Sequence, residues 1–308
     1  ATVDYLGKTL EPGGLYAFWP GSGGRVSLTA YVVEFLVEAK KAGREFPARL
    51  LEKPVAALKE ALRSDYSHFV SGAASIERSE ALRALSLTGA FDEAYGAELA
   101  KKSGYLDAYG QASVLLAYAA GQKGGGDVTR GLKQGLWDNT VFKLRDGQEV
   151  FGGLQTRYPE DGGLVLSSEV RTLAGMIRAL YPEEKANPRM KMMVEELIRT
   201  GAGDGWGNTS NNAAALLALK DVVATPAPRT SAPHFEVSTG NEKKDLVLDG
   251  EHPTVHFTSK SPAPAQLTWT GGAPGEAFFA RLNVTSIPQA TGDTVAARSA
   301  GFVVRHEV

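Results

Sequence analysis

GGLYAFWPGSGGRVSLTAYVVEFLVEAKKA, residues Gly13 to Ala42, decides how the chain is read. An aromatic turn rich in glycine runs straight into an amphipathic helix. Ser27 is placed to cap that helix, because its hydroxyl can accept from first-turn N–H groups that have no partner inside the helix. Leu28, Tyr31, Val32, Phe35 and Leu36 recur at helical spacing on one face, and Gly43 supplies the stop. The pattern then returns: IERSEALRALSLTG follows Ser75, DAYGQASVLLAYAAG follows Leu106, SSEVRTLAGMIRALYP follows Leu166 and WGNTSNNAAALLALKDV follows Gly205.

In each unit a short polar or glycine-bearing lead-in precedes a helix rich in Ala and Leu, whose small side chains let neighbouring helices approach closely. More polar helices bearing Lys and Glu lie between, for instance Arg49 to Arg63 and Pro188 to Arg199. Alternation of this kind predicts an inner and an outer layer of helical hairpins, repeating every roughly 30 to 60 residues, stacked as a solenoid or closed as a ring. Residues 1–224 read as helix nearly throughout, with breaks at Pro47, at Pro54 near a helix start, at Gly124 to Gly126, at Pro159 to Gly163 and at Pro182.

Beyond Ala224 the register changes. ATPAPRTSAPHFEV crowds Pro226, Pro228 and Pro233 into a few residues, which no helix interior tolerates. The sequence that follows favours alternation and β-branched residues. Strands are expected at Phe235 to Ser238, Asp245 to Leu248, Thr254 to Thr258, Ala265 to Thr270, Ala277 to Ser286 and Gly301 to His306. The fold class is therefore mainly α with a small β domain. The uncapped start and the end at Val308, inside the alternating stretch GFVVRHEV, lead to the expectation that the chain is a portion of something longer.

Length and composition agree with this division. A chain of 308 residues exceeds the usual single domain, and 43% hydrophobic with 22% charged residues describes an ordinary globular protein. The net charge of −2 with no basic run argues against nucleic acid as a partner, since phosphate binding needs a positive face. There is no cysteine in these residues, which removes disulfides, thiolate metal sites and cysteine nucleophiles from consideration here.

No catalytic, cofactor-binding or metal-binding residue emerges from the residues alone. Gly13 to Gly24 lacks the Gly-Lys-Ser/Thr of a phosphate loop and reads as a turn. Glu77, Asp107, Glu160, Asp161, Glu169 and Asp204 all fall in lead-ins and could gather at one end of a helical ring, where glycosidases and lyases hold paired acids. Helix capping is the other reading of the same positions. His68, His234, His252, His256 and His306 show no metal spacing on a helix, and none is expected to hold a metal. Asn208-Thr209-Ser210 and Asn283-Val284-Thr285 match the glycosylation sequon; at the first, Thr209 or Ser210 serves equally well as an N-cap.

Taken in order, these segments resemble the thioester-containing domain of the alpha-macroglobulin and complement family. The resemblance rests on Ser27 to Val32 with its continuation EFLVEA, on Tyr105 through ASVLLAYA, on Glu169 through IRALY, and on Gly205 to Ala213 leading into LLALKDV. It covers about residues 5–223, and the terse loops without cysteine look more like a bacterial member than an animal one. The resemblance implies an α/α toroid of helical hairpins over 1–224, a CUB-like β-sandwich segment over 225–292, and over 293–308 the first strand of a macroglobulin-like sandwich.

The function it implies is that of an endopeptidase inhibitor, with no cofactor. Proteases would be its targets, and other macroglobulin-like domains of the same larger polypeptide its partners. A periplasmic or secreted location follows, with a membrane anchor placed outside these residues. The family's thioester joins a Cys to a Gln in a CxEQ motif, and this chain contains no such run. His68, in DYSHFVSG, lies in the lead-in where some thioester proteins carry an acyl-accepting histidine; a solvated loop histidine is the alternative. A carbohydrate-active enzyme on the same kind of ring stands as the second functional reading. A cyclase-like ring is weaker, lacking an Asp-rich motif.

Overall fold

The computed structural model describes residues 2–63, 72–124, 126–145, 147–155, 168–201, 205–223, 232–248, 255–258 and 264–271. The chain divides into two compact units, Ala1–Thr225 and Pro226–Val308. It is mainly helical, with small antiparallel sheets. No helix among the described residues is long and apolar enough to cross a membrane.

The first unit runs α1 (Thr2–Thr9), α2 (Val26–Lys41), α3 (Arg49–Arg63), α4 (Gly72–Leu87), α5 (Glu93–Lys101), α6 (Ala108–Ala120) and α7 (Asp127–Asp138). A hairpin of β1 (Thr140–Arg145) and β2 (Gln148–Leu154) follows, then α8 (Glu169–Glu184), α9 (Pro188–Thr200) and α10 (Thr209–Val223). The Ala- and Leu-rich helices pack in series, α2 on α4, α4 on α6, α6 on α8 and α8 on α10. Beside that series α3 packs on α2 and α4, α5 on α4 and α6, α7 on α6, and α9 on α8. The first set makes an inner layer and the second a flanking one. Inner helices bury more than one face: in α6, Ala108 through Leu115, Ala117 and Tyr118 are all buried.

Helix α2 shows what this does to the expected apolar stripe. Ala30, Val33 and Val37 enter the main core, whereas Val32 and Leu36 join a second cluster with Leu6, Tyr16 and Leu50. Phe35, expected inside, is 46% exposed. One stripe is the signature of a helix buried on one side, and α2 lies between two cores. Ser27 does not cap the helix either. The N-cap is Arg25 with no side-chain bond, and Ser27 is buried. Gly43 does end the helix, at φ +71°, a left-handed conformation that glycine adopts without strain.

The glycine-rich stretch is a folded turn pinned at Tyr16. The Tyr16 N–H donates to Thr29 Oγ1 at 2.8 Å and its hydroxyl donates to Leu50 O at 2.7 Å. That second bond answers a defect in α3. Pro54 lies within the helix and has no N–H to give the carbonyl four residues back, which is Leu50. Gly14, at φ +89°, is required by space as well as conformation, since a Cβ there would sit 2.8 Å from Lys53 O.

Two further expectations need correction. Pro182 does not break its helix but sits in the last turn of α8, which runs on to Glu184. The β1–β2 hairpin interrupts a region read as helix. Its core is a stack in which Phe142 meets Phe151 edge-on at 6.2 Å and lies 6.5 Å from Trp137.

The second unit contains β3 (His234–Thr239), β4 (Glu242–Val247) and β5 (Ala265–Gly271) in an antiparallel sheet ordered β4-β3-β5. Gly240, at φ +57°, makes the β3–β4 turn. Val255–Thr258 forms no strand; His256 O accepts from the Lys244 ammonium, which also lies 4.8 Å from the Phe257 ring centroid. The strands expected at Ala277 to Ser286 and Gly301 to His306 lie outside the described residues, as do Asn283 and the break at Pro159 to Gly163.

Candidate functional site

Residues from all five inner helices converge on one cleft. Tyr31 and Glu34 of α2, Arg83 of α4, Tyr109 of α6, Arg171, Gly175 and Arg178 of α8, and Ala214 and Leu217 of α10 line it. Its charges are bound to one another. Glu34 Oε1 accepts from Arg83 Nη2 at 2.5 Å and from Arg178 Nη1 at 3.0 Å, and Arg178 Nε donates to Asp221 Oδ2 at 3.0 Å. Arg171 Nη2 donates to Glu80 Oε1 at 2.9 Å while its guanidinium lies 4.4 Å over the Tyr109 ring. The partners of Glu34 stand 49 and 144 residues away in sequence, so one carboxylate ties α2 to α4 and to α8.

Burial would push the Glu34 carboxyl up, but Arg83 and Arg178 together hold it down to about 2. It is therefore a fixed negative charge. Removing one member of such a set leaves a buried charge without compensation, a change worth about 3–5 kcal/mol.

At the starts of the inner helices, side chains bond the helices together. Ser168 caps α8, accepting from Arg171 N at 3.1 Å, and its hydroxyl donates to Asn211 Oδ1 of α10 at 2.6 Å. Tyr181, near the end of α8, donates its hydroxyl to Val222 O near the end of α10, so the two helices run in the same direction. The cap of α10 is Asn208, whose Oδ1 accepts from Asn211 N at 2.9 Å, and not Thr209 or Ser210 as expected. Trp206 closes this corner: its ring N–H donates to Leu197 O at 2.6 Å, and Gly201 leaves the space its ring fills.

Of the lead-in acids, Glu160, Asp161 and Asp204 lie outside the described residues, and so do His68, His252 and His306. Asp107 caps α6, its Oδ1 accepting from Gly110 N at 2.7 Å. Burial pushes its carboxyl up to about 6, with the neighbouring Glu80 adding to the rise and the Gly110 bond opposing it. Glu77 is also raised, by burial and then by Glu80. Glu169 occupies the first turn of α8. None of these three lines the cleft, whose single carboxylate, Glu34, is held ionised and cannot deliver a proton. Among the described residues, no group of three or more His, Asp or Glu converges in a way that could hold a metal.

The acids that meet are inside the helices and not in the lead-ins. Glu34, Glu80, Arg83, Arg171 and Arg178 form the cluster, and a signal for three of them was present. Each is a lone charge in an apolar run: VVEFLV, ALRALS and MIRALY. Opposite lone charges on inner helices have only each other to pair with.

No family model matches the chain, and no curated protein matches it. Solved structures do. The chain is similar to the Salmonella alpha-2-macroglobulin reacted with methylamine, with TM-score 0.59 and 16% identity over 79% of this chain and 15% of that one. It is similar to native Escherichia coli alpha-2-macroglobulin spanning domain MG7 to the C-terminus, with TM-score 0.58 and 17% identity over 79% of this chain and 36% of that one. It is also similar to the E. coli protein activated by porcine elastase, with TM-score 0.53 and 19% identity over 79% and 21% of the two chains. At these identities the likeness is one of fold, and the matched region is a minor part of each relative's length.

Proposed function

We propose that the chain is a portion of a bacterial alpha-2-macroglobulin-like protease trap, an inhibitor and not an enzyme. The observation that supports this best is the likeness of fold across 79% of the chain to alpha-2-macroglobulins, including a form activated by elastase. In this reading the inner helices close into an α/α toroid, residues 225–292 form a CUB-like segment, and 293–308 open a macroglobulin-like sandwich. The larger protein works in the periplasm or outside the cell, with any membrane anchor carried by a part outside these residues.

The cleft gives the reading a physical role for the helical unit. A trap works by moving domains as bodies after a bait is cut, so each body must resist deformation while its interfaces exchange. Glu34 bonds helices that are far apart in sequence, so bending the inner layer would strand buried charge. The unit is built to be carried, and the catalytic protease is its target.

The test is protection. The whole protein is incubated with an elastase-like or trypsin-like protease, and cleavage is followed on a large protein substrate and on a small peptide. Slowed cleavage of the large substrate with the small one unaffected is the expected result. Equal cleavage of both, with no complex formed, contradicts the reading. Methylamine treatment that releases a thiol would place a thioester outside these residues, which contain no cysteine.

A further inference from the structure

Helix α10 is attached to the inner layer unlike the other four. Among the described elements α2, α4, α6 and α8 each pack on two or more helices, and α10 packs along its length on α8 alone. Of its 15 residues only Asn211, Ala215 and Ala218 are buried, whereas α6 buries most of its length. Leu216 and Val223 are each 59% exposed. With so little apolar surface removed from water, few interactions hold the backbone hydrogen bonds of α10 shut.

The two ends of α10 are fastened differently. At the start, Asn211 is buried and bonded on both sides: its Nδ2 donates to Trp206 O at 3.0 Å and its Oδ1 accepts from the Ser168 hydroxyl at 2.6 Å. Asn212 Oδ1 accepts from Trp206 N beside it, also at 2.6 Å. At the far end the Tyr181 hydroxyl reaches Val222 O at 3.4 Å, a long hydrogen bond, and Arg178 reaches Asp221, whose side chain is 41% exposed and so screened by water. From this weaker end the chain continues into the proline-rich stretch ATPAPRTSAP.

We propose that α10 is a releasable strap over the cleft, which unfastens from α8 starting at Val223, with Asn211 as its hinge, while the other inner helices stay folded. Release withdraws Ala214 and Leu217 from the cleft wall and takes Asp221 away from Arg178, which keeps Glu34. Arg178 therefore stays paired, opening strands no buried charge, and the cost is confined to α10. A pull on the proline-rich stretch arrives at Val223, the end that lets go first. The inference does not depend on the trap reading: a chain that traps nothing would carry the same strap.

The experiment is hydrogen exchange on the whole chain, read peptide by peptide, together with thiol labelling. The strap predicts that the amides of 216–223 exchange as a group, at least about tenfold faster than those of α8 and faster than those of 211–215. Asp221→Asn loosens the fastener and speeds exchange over 216–223 by about 2–5-fold, while α2, α4 and α6 keep their rates. Because these residues contain no cysteine, Ala214→Cys reports opening at the cleft wall, and its labelling should quicken by the same factor when Asp221→Asn is added. Fraying of the last turn alone would leave the labelling of Ala214→Cys unchanged, which overturns the inference. So does an equal acceleration in every helix, since Asp221 would then serve general stability. If the Asp221 variant fails to fold, the unsubstituted chain still decides: α10 exchanging at the rate of α8 means that there is no strap.

Discussion

Helices α8 and α9 follow one another in the chain and pack together, yet they treat charge in opposite ways. In α8, Arg171 and Arg178 point inward and bond Glu80 and Glu34 under protein, with Arg178 also reaching the part-exposed Asp221. In α9, Arg189 and Arg199 lie at the surface and bond Glu149 and Glu196 in water. The distances are alike: 2.9 Å from Arg171 to Glu80 and 2.7 Å from Arg189 to Glu149. What differs is the medium. An exposed pair is screened and contributes about 0–1 kcal/mol, whereas a buried set contributes little when whole and a great deal when broken. Geometry alone does not rank these interactions; burial does.

The sharpest way to break the contrast is Glu34→Gln. It removes the charge that Arg83 and Arg178 share, and a loss of about 3–5 kcal/mol is expected in urea unfolding. Acid should act in the same direction. Because the Glu34 carboxyl is held down to about 2, its stabilisation is fully present above the ordinary value of 4.5 and is lost as pH falls from there towards 2. A pH titration of stability in which Glu34→Gln abolishes that acid limb checks the sign.

The next effect concerns Tyr16. Tyr16→Phe strands the Leu50 carbonyl that Pro54 cannot serve, at a cost of about 1–3 kcal/mol. Adding Pro54→Ala to that variant restores an N–H four residues from Leu50, so part of the loss should return. An unchanged double variant would show that the hydroxyl does some other job.

A gain is expected at Asp107. Asn caps a helix as well as Asp does, so Asp107→Asn keeps the bond to Gly110 and removes a carboxylate that burial disfavours. With the native carboxyl raised to about 6, the charged form weighs against folding above that pH, and the penalty fades as pH falls from about 6 towards 3.8. The variant should therefore be more stable by about 1–3 kcal/mol at pH 8, with the difference gone by about pH 3. Smallest of all is Glu149→Gln, which breaks the exposed pair with Arg189 and should change stability by less than about 1 kcal/mol.

How much of this was legible in the sequence depends on whether the cause was local. The five Ala- and Leu-rich helices, the flanking helices at Arg49 and Pro188, and the change of register near Pro226 were readable because periodicity and proline act along the chain. The β1–β2 hairpin, within a stretch expected to be helical, is equally local. TVFKLRDGQEVFGGL carries Asp146-Gly147 between alternating apolar residues, a strong hairpin signal. The second buried face of α2, and with it the exposed Phe35, was not readable, since it depends on Tyr16 and Leu50 arriving from elsewhere. The charge cluster lay between these cases. Lone charges in VVEFLV, ALRALS and MIRALY announced that something must pair, but only the fold says with what.

The account rests on Glu34 being shared by Arg83 and Arg178 as one unit, and a double-mutant cycle on Glu34→Gln and Arg178→Gln measures that sharing directly. If the two residues act together, each single change is strongly destabilising and the double variant loses much less than their sum, with a coupling of about 1–3 kcal/mol. Losses that simply add would mean that Glu34 and Arg178 act independently, and the shared unit would be contradicted.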